Sequence, residues 1–284
     1  MRIDLNQLFN LNDRVAVITG GGGELCGTIS EGLAGLGVKV AILDIDLDKA
    51  KQREKVILEN GSLAKAFKCN VLDKSELKAL LNEITGLWQE PDILINGAGG
   101  NDPLGSTDKE FLDSEDIDNP DVRGFLDLEY EGFRHVFDLN FLGTFLPTKV
   151  FTRGMICKKK GVVLNIASIS ALTPLTRVGA YSAAKAAVAN FTRWLAVHFA
   201  NIGIRVNALA PGFYMTEQLK FLHIDQETGE LTPRAKKIIA HTPMGRYGEP
   251  EELLGTVIWL LSDAAKFVTG AVIPVDGGFS SYTI

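Results

Sequence analysis

The sequence predicts one α/β domain over residues 1–284, a doubly wound parallel sheet of seven strands with helices on both faces. Three observations predict it. Val15-Ala16-Val17-Ile18-Thr19 is a β-branched run that ends abruptly in Gly20-Gly21-Gly22-Gly23, and helical spacing follows from Leu25 to Leu36. Strand-length apolar runs then alternate with helix-length stretches, the pattern of a parallel sheet covered by helices on both sides. No internal repeat or linker divides the chain, and 284 residues can bury a sizeable core.

The first run is apolar enough for a strand buried on both faces. Val38 to Leu43 predicts the second strand, ending at Asp44, and Leu47 to Glu59 a charged surface helix stopped by Asn60-Gly61. Leu63 to Cys69 predicts the third strand and Ser75 to Ile84 a helix. Asp92 to Asn96 predicts the fourth strand, running into Gly97-Ala98-Gly99-Gly100. The rhythm then breaks. The stretch near 100–128 is acidic and loop-like, with Asn119-Pro120-Asp121 as a turn signal. Helical spacing returns from Glu129 to Phe151. Val162 to Ile166 predicts the fifth strand, which delivers Ser168 just past its end. Tyr181 to Phe199 reads as a long alanine-rich helix, and Arg205 to Leu209 as the sixth strand, ending in Ala210-Pro211-Gly212. A second excursion, 213–247, is amphipathic in part. Pro250 opens a helix that runs to Leu261, where a first-turn proline is tolerated, and Ala271 to Val275 predicts the seventh strand.

Composition removes several function classes. Hydrophobic residues make up 46% and charged residues 23%, ordinary for a globular protein. A net charge of −6 argues against a nucleic-acid binder acting through a basic field. The basic run Lys158-Lys159-Lys160 reads as a solvated helix end. Cys26, Cys69 and Cys157 lack metal-ligand spacing, so no metal is expected, and an odd, sparse set suggests reduced thiols in the cytoplasm. No uncharged apolar run reaches the ~20 residues of a membrane span.

Two sites emerge from the residues. The glycine turn brings backbone N–H groups to a helix N-terminus, where a pyrophosphate can approach. No Gly-Lys-Ser/Thr follows, which disfavours a P-loop. Asp44, 21 residues after Gly23 at a strand tip, can take both ribose hydroxyls of an adenosine and would repel a 2′-phosphate, favouring NAD(H) over NADP(H). The second site is Ser168 to Lys185. Tyr181 and Lys185 have i, i+4 spacing, and so share one helix face. A nearby ammonium favours the phenolate and lowers the pKa of the phenol, and a serine hydroxyl can bind the oxygen that gains or loses the proton. The pair suits general acid/base work on a carbonyl or alcohol.

Motif by motif, the chain resembles the short-chain dehydrogenase/reductase family over nearly its whole length. The family's T-G-x-x-x-G-x-G corresponds to Thr19 through Cys26, its N-N-A-G to Asn96-Gly97-Ala98-Gly99, and its mid-chain asparagine to Asn140. Its serine matches Ser168 and its Y-x-x-x-K matches Tyr181 and Lys185. Its P-G turn followed by threonine matches Pro211-Gly212 and Thr216. The resemblance implies a Rossmann fold and a homotetramer with the Glu129 to Phe151 and Tyr181 to Phe199 helices at one interface. It implies that Tyr181 transfers the proton, Lys185 lowers its pKa and holds the nicotinamide ribose, Ser168 positions the substrate oxygen, and Asn140 holds a water leading to Lys185. Cofactor contacts are implied for Gly20, Gly22, Gly23, Leu25, Asp44, Asn70, Val71, Asn96, Gly97, Ala98, Tyr181, Lys185, Pro211, Gly212 and Phe213. Glu24 and Cys26 depart from family glycines, Gly97 from an asparagine and Asn70 from an aspartate.

The glycine turn, the acidic insertion and the ending P-V-D-G-G-F-S resemble the bacterial D-mannonate oxidoreductase, or fructuronate reductase, branch. That implies a sugar-acid substrate, whose carboxylate wants a cation and whose hydroxyls want polar groups. The candidates are Asn101, Arg177, His223 and Arg246. Two other expectations stay open: a related dehydrogenase for another polyol, ketose or 3-oxoacyl substrate, and a non-catalytic NAD-binding sensor.

Overall fold

The structure, a computed structural model, describes residues 4–117 and 119–283, the side chains of 218 and 222 excepted. Its first helix, α1 (Leu5–Leu8), is a single turn capped by Asp4. The strands are β1 (Val15–Thr19), β2 (Lys39–Asp44), β3 (Ala64–Lys68), β4 (Ile93–Asn96), β5 (Gly161–Ile166), β6 (Ile204–Pro211) and β7 (Val272–Val275). They form one sheet in the order β3-β2-β1-β4-β5-β6-β7, every neighbouring pair parallel. Parallel neighbours require crossovers, and helices supply them: α2 (Glu24–Ala34), α3 (Leu47–Glu59) and α4 (Lys74–Leu87) in the first half.

Alternation along β1 shows why both faces need cover. Ala16 and Ile18 pack with Ile29 and Leu33 of α2 and with Leu260 and Leu261 of α10 (Leu254–Leu261). Val15 and Val17 point the other way, toward Leu77 of α4, Phe151 of α6 (Gly143–Lys158) and Leu195 of α7 (Gly179–Phe199). The period of two in a strand sends successive side chains to opposite layers. Caps fix the helix starts: Asp46 on α3 and Asp73 on α4 each accept two backbone N–H groups.

Two predicted stretches have more structure than their patterns showed. The single helix expected from Glu129 to Phe151 is two, α5 (Tyr130–Phe137) and α6, joined by a π turn at Asp138–Leu142. The excursion 213–247 holds α8 (Glu217–His223) and α9 (Pro233–His241) with a small apolar cluster of Ala235, Ile238 and Tyr247 beneath them. The Pro250 helix starts as a 3₁₀ turn, Pro250–Leu253, before α10. The stretch 101–127 stays loop-like but carries three 3₁₀ turns. No described helix is long and apolar enough to cross a membrane.

Candidate active site

Both sites lie where strands end. At the tip of β1, Gly20 adopts φ +66, which turns the chain from strand to helix. Thr19 is fully buried, and its hydroxyl accepts from the Gly97 and Ala98 N–H groups at 3.1 and 3.2 Å, which binds the β1 turn to the β4 turn. Gly23 is the N-cap of α2 and offers no side chain there. Asp44 sits at the tip of β2, its Oδ2 accepting from the Gly22 N–H at 2.9 Å and its Oδ1 from the Asp46 N–H at 2.9 Å. A Cβ at Gly22 would stand 2.9 Å from that carboxylate and 3.0 Å from the Ala50 nitrogen, so only glycine fits. Backbone amides, a helix N-terminus and a carboxylate at the next strand tip fit a dinucleotide.

Two departures from the family pattern explain each other. A Cβ at Gly97 would lie 2.1 Å from Cys26 Sγ. The thiol at 26 occupies the room that a side chain at 97 would need, so a larger residue at one position accompanies a smaller one at the other. Burial pushes the Cys26 thiol up to about 12, which keeps it protonated and unreactive. Glu24 has a partner outside the glycine turn. Its carboxylate accepts from the Glu217 N–H at 2.6 Å, at the first residue of α8. That answers the repulsion a carboxylate beside a pyrophosphate would cause, and it ties α2 to the second excursion.

The remaining predicted cofactor residues divide by side chain and backbone. The Asn96 side chain points into the protein: it is 1% exposed, and its amide donates to Thr148 Oγ1 at 2.9 Å and Asn165 Oδ1 at 2.8 Å. That leaves its backbone for the cofactor contact expected there. Asn70 is exposed, its Oδ1 accepting from the Leu72 N–H, and Val71 beside it is buried against Gly143. Leu25 is half-buried and packs on the core under the turn. Pro211 ends β6, Gly212 donates to the Val275 carbonyl at 3.0 Å, and Phe213 packs edge-on against Tyr247 and Phe279.

The second cluster is built by β5, the loop after it and α7. Ser168 is the N-cap of the 3₁₀ turn Ile169–Ala171, and its hydroxyl accepts from the Ser170 N–H at 3.1 Å. Tyr181 is the third residue of α7. Lys185, one turn on and 4% exposed, donates to the Ile166 carbonyl at 2.8 Å, with its ammonium 5.6 Å from the Tyr181 ring centroid. Burial lowers the Lys185 ammonium to about 8. Burial also raises the Tyr181 phenol, and the Ser168 hydrogen bond pulls it partly back. The net direction is opposite to the lowering by Lys185 expected from the sequence, because removing a phenolate from water costs more here than the neighbouring groups return.

Asn140 is fully buried in the π turn. Its amide donates to the Gly100 and Val136 carbonyls, both at 2.7 Å, and its Oδ1 accepts from the Gly100 N–H at 3.2 Å. A π turn widens the helix locally and recurs at functional positions. Here it locks the 97–100 turn to α5. Gly99, the last residue of the motif expected along the ribose chain, sits between Asn140 and Lys185. A Cβ there would stand 2.5 Å from Asn140 Oδ1 and 3.1 Å from Lys185 Nζ.

A family model described as enoyl-(acyl carrier protein) reductase matches residues 25–280. An uncharacterised oxidoreductase of Haemophilus influenzae is 47% identical over 96% of this chain and 95% of its own length. The chain belongs to the short-chain dehydrogenase/reductase family. An uncharacterised oxidoreductase of Bacillus subtilis named UxuB is 46% identical over 96% of this chain and 97% of its own. A crystal structure of a candidate D-mannonate oxidoreductase from Haemophilus influenza, with bound NAD, superposes with a TM-score of 0.92. It is 47% identical and covers 96% of this chain and 97% of its own. As a short-chain dehydrogenase/reductase, the protein is an oxidoreductase acting on alcohol groups.

The substrate candidates are scattered by the structure. Arg246 is a correction: both of its terminal nitrogens bind the Glu252 carboxylate at 2.7 Å, so its charge is already met. His223 is a second correction. It is 4% exposed, its Nδ1 is 2.9 Å from the Tyr247 hydroxyl, and burial lowers its pKa, so it is a neutral packing group. Asn101 is exposed and donates to Ser106 Oγ at 2.8 Å inside its own loop. Arg177 is exposed, in a left-handed backbone conformation with φ 73, and its Nε donates to the Thr107 carbonyl at 3.1 Å. Arg234, on α9, was not anticipated. The amphipathic spacing of 235–239 was its only signal, and that pattern marks the buried face rather than the residue before it.

Proposed function

We propose that the protein reduces D-fructuronate to D-mannonate with NADH, and catalyses the reverse oxidation. The observation that carries this is the Tyr181 ring lying 5.6 Å under the buried Lys185 ammonium, at the strand edge where Ser168, the glycine turn and Asp44 also lie. The similarity to a candidate D-mannonate oxidoreductase supports the substrate.

The glycine turn would hold the pyrophosphate, Asp44 the adenosine ribose, and Lys185 the nicotinamide ribose. The dinucleotide supplies the hydride. Tyr181 gives its proton to the substrate carbonyl oxygen. The phenol is protonated at neutral pH, the form that reduction needs, and burial raises its pKa further. Ser168 accepts from the Ser170 N–H, which fixes its hydroxyl beside the reacting oxygens; its single O–H turns from the Tyr181 oxygen to the substrate oxygen when substrate binds. Lys185 supplies positive charge over the ring, and Asn140 fixes the 99–100 backbone beside it. Asp44 selects NADH, because a 2′-phosphate would meet its carboxylate.

An assembly of four copies is part of this reading. Phe145, Phe191, Trp194 and His198 form a run of aromatic contacts along α6 and α7, and Trp194 is 56% exposed. The free cysteines suit the reducing cytoplasm.

The test is a screen of keto sugar acids and uncharged ketoses with NADH and NADPH. Fructuronate with NADH is expected to give the highest kcat/KM. Preference for an uncharged ketose removes the substrate, and preference for NADPH removes the role of Asp44.

A further inference from the structure

A sugar-acid substrate needs a cation for its carboxylate, and two of the three expected cations are unavailable. The structure offers a different one. Arg234 is half-buried, yet among the described residues its guanidinium makes no hydrogen bond and no ion pair. Thr232 caps α9 and sets the helix start, which places Arg234 in the first turn. Lys237, three residues on, pairs with Glu110 from the acidic insertion. Three residues before Glu110, Thr107 exchanges two hydrogen bonds with Arg177. The 107–110 stretch therefore contacts both α9 and Arg177. Arg177 stands four residues before Tyr181.

Arg177 is held rigidly from its inner end. Its carbonyl accepts from the Thr107 N–H at 2.8 Å and its Nε donates back to the Thr107 carbonyl, which leaves the two terminal nitrogens unbound among the described residues. The 107–110 stretch brings Arg177 and α9 to the same place, and the pKa of Arg234 is lowered by its burial first and then by the Arg177 charge. Glu110 is the carboxylate that acts on Arg234, and Lys237 pairs with it. Two like charges, one half-buried, are unfavourable together unless an anion joins them. Guanidiniums bind carboxylates through paired N–H groups.

We propose that Arg177 and Arg234 together bind the substrate carboxylate, one from each loop, and so select a keto sugar acid over an uncharged ketose. This rests on the sugar-acid reading of the same site. The acidic insertion takes part only indirectly, through the Glu110 contact that sets α9 in place.

The experiment compares the wild type with Arg234→Ala, Arg234→Lys and Arg177→Ala in NADH-dependent reduction of D-fructuronate and D-fructose. It reads the ratio of kcat/KM for the acid to kcat/KM for the ketose. Arg234→Ala is expected to lower that ratio on the order of 10–100-fold, mainly through KM for the acid, as loss of a charged hydrogen bond does. Arg234→Lys restores part of it, and Arg177→Ala lowers it by less. An unchanged ratio in Arg234→Ala overturns the proposal, as does an equal loss on both substrates. The sugar-acid reading fails separately, when the wild type rejects fructuronate. In that case D-gluconate is titrated as an inhibitor against whichever ketone the enzyme reduces. Inhibition lost in Arg234→Ala upholds the arginine pair. Inhibition kept by the variant, or absent in the wild type, overturns it.

Discussion

The cluster around Tyr181 and the two loops above it hold their polar groups by different means. In the cluster, side chains are fixed by backbone that the sheet has already positioned. Lys185 binds the Ile166 carbonyl, Ser168 the Ser170 amide and Asn140 the Gly100 peptide. In the loops, side chains are fixed by other side chains: Arg246 by Glu252, His223 by Tyr247, Lys237 by Glu110. Backbone partners follow from topology, whereas side-chain partners depend on where a loop of thirty residues happens to return. Proton chemistry built on the first kind is rigid. Substrate selection built on the second can change with a few substitutions while the fold stays.

The largest effect that sharpens this contrast is at Lys185. The ammonium falls from its ordinary 10.5 to about 8 on burial, which corresponds to about 3 kcal/mol of destabilisation. The native state therefore binds fewer protons than the unfolded chain between pH 8 and 10.5, and stability rises with pH across that window. Below about pH 8 the full cost is present. Lys185→Met is expected to lower kcat on the order of 10²-fold through lost positive charge, while thermal melting at pH 7 holds or rises. A melt that falls by several degrees together with the activity would mean that Lys185 is structural and not an electrostatic group held at a cost.

The next effect is smaller and compares couplings in the two regions. Gly97→Asn alone is expected to cost about 1–3 kcal/mol by overpacking against Cys26. Cys26→Gly in the same chain should return about 1 kcal/mol or more of it, a coupling read by denaturant melts of the four-member cycle. The same cycle at Lys237 and Glu110, an exposed loop pair, is expected to give only about 0.2–1 kcal/mol. Equal couplings would erase the distinction between a packed strand end and a solvated loop contact.

The same distinction governs what could be read from the sequence. All seven strands and the Ser168, Tyr181 and Lys185 cluster were legible, because strand ends and helix periodicity place residues at fixed spacings. The meaning of Glu24 and Cys26 was not. Each looks like a fault in a glycine motif until Glu217 and Gly97, distant in sequence, are seen beside them. The inward turn of Asn96 was hidden for a related reason. Its partners Thr148 and Asn165 lie on α6 and β5, and no local pattern links them. The π turn at Asn140 reads as plain helix in sequence, since one inserted residue barely disturbs the apolar spacing. Arg234 was missed because the apolar spacing of 235–239 marks the buried face of α9 and not the residue before it.

The claim that matters most is that Tyr181 is the proton-transfer group, and that burial keeps it protonated at neutral pH. The most direct measurement is the pH dependence of kcat/KM in both directions, on the preferred sugar acid and its alcohol, for the wild type and Tyr181→Phe. Oxidation needs the phenolate, so its rate is expected to rise with pH through and above neutrality. Reduction needs the phenol, and is expected to stay flat over the same range. Tyr181→Phe should lose about 10²–10⁴-fold in both directions and still bind NADH. A variant that keeps the wild-type rate, or an oxidation rate that falls as pH rises, would contradict the account.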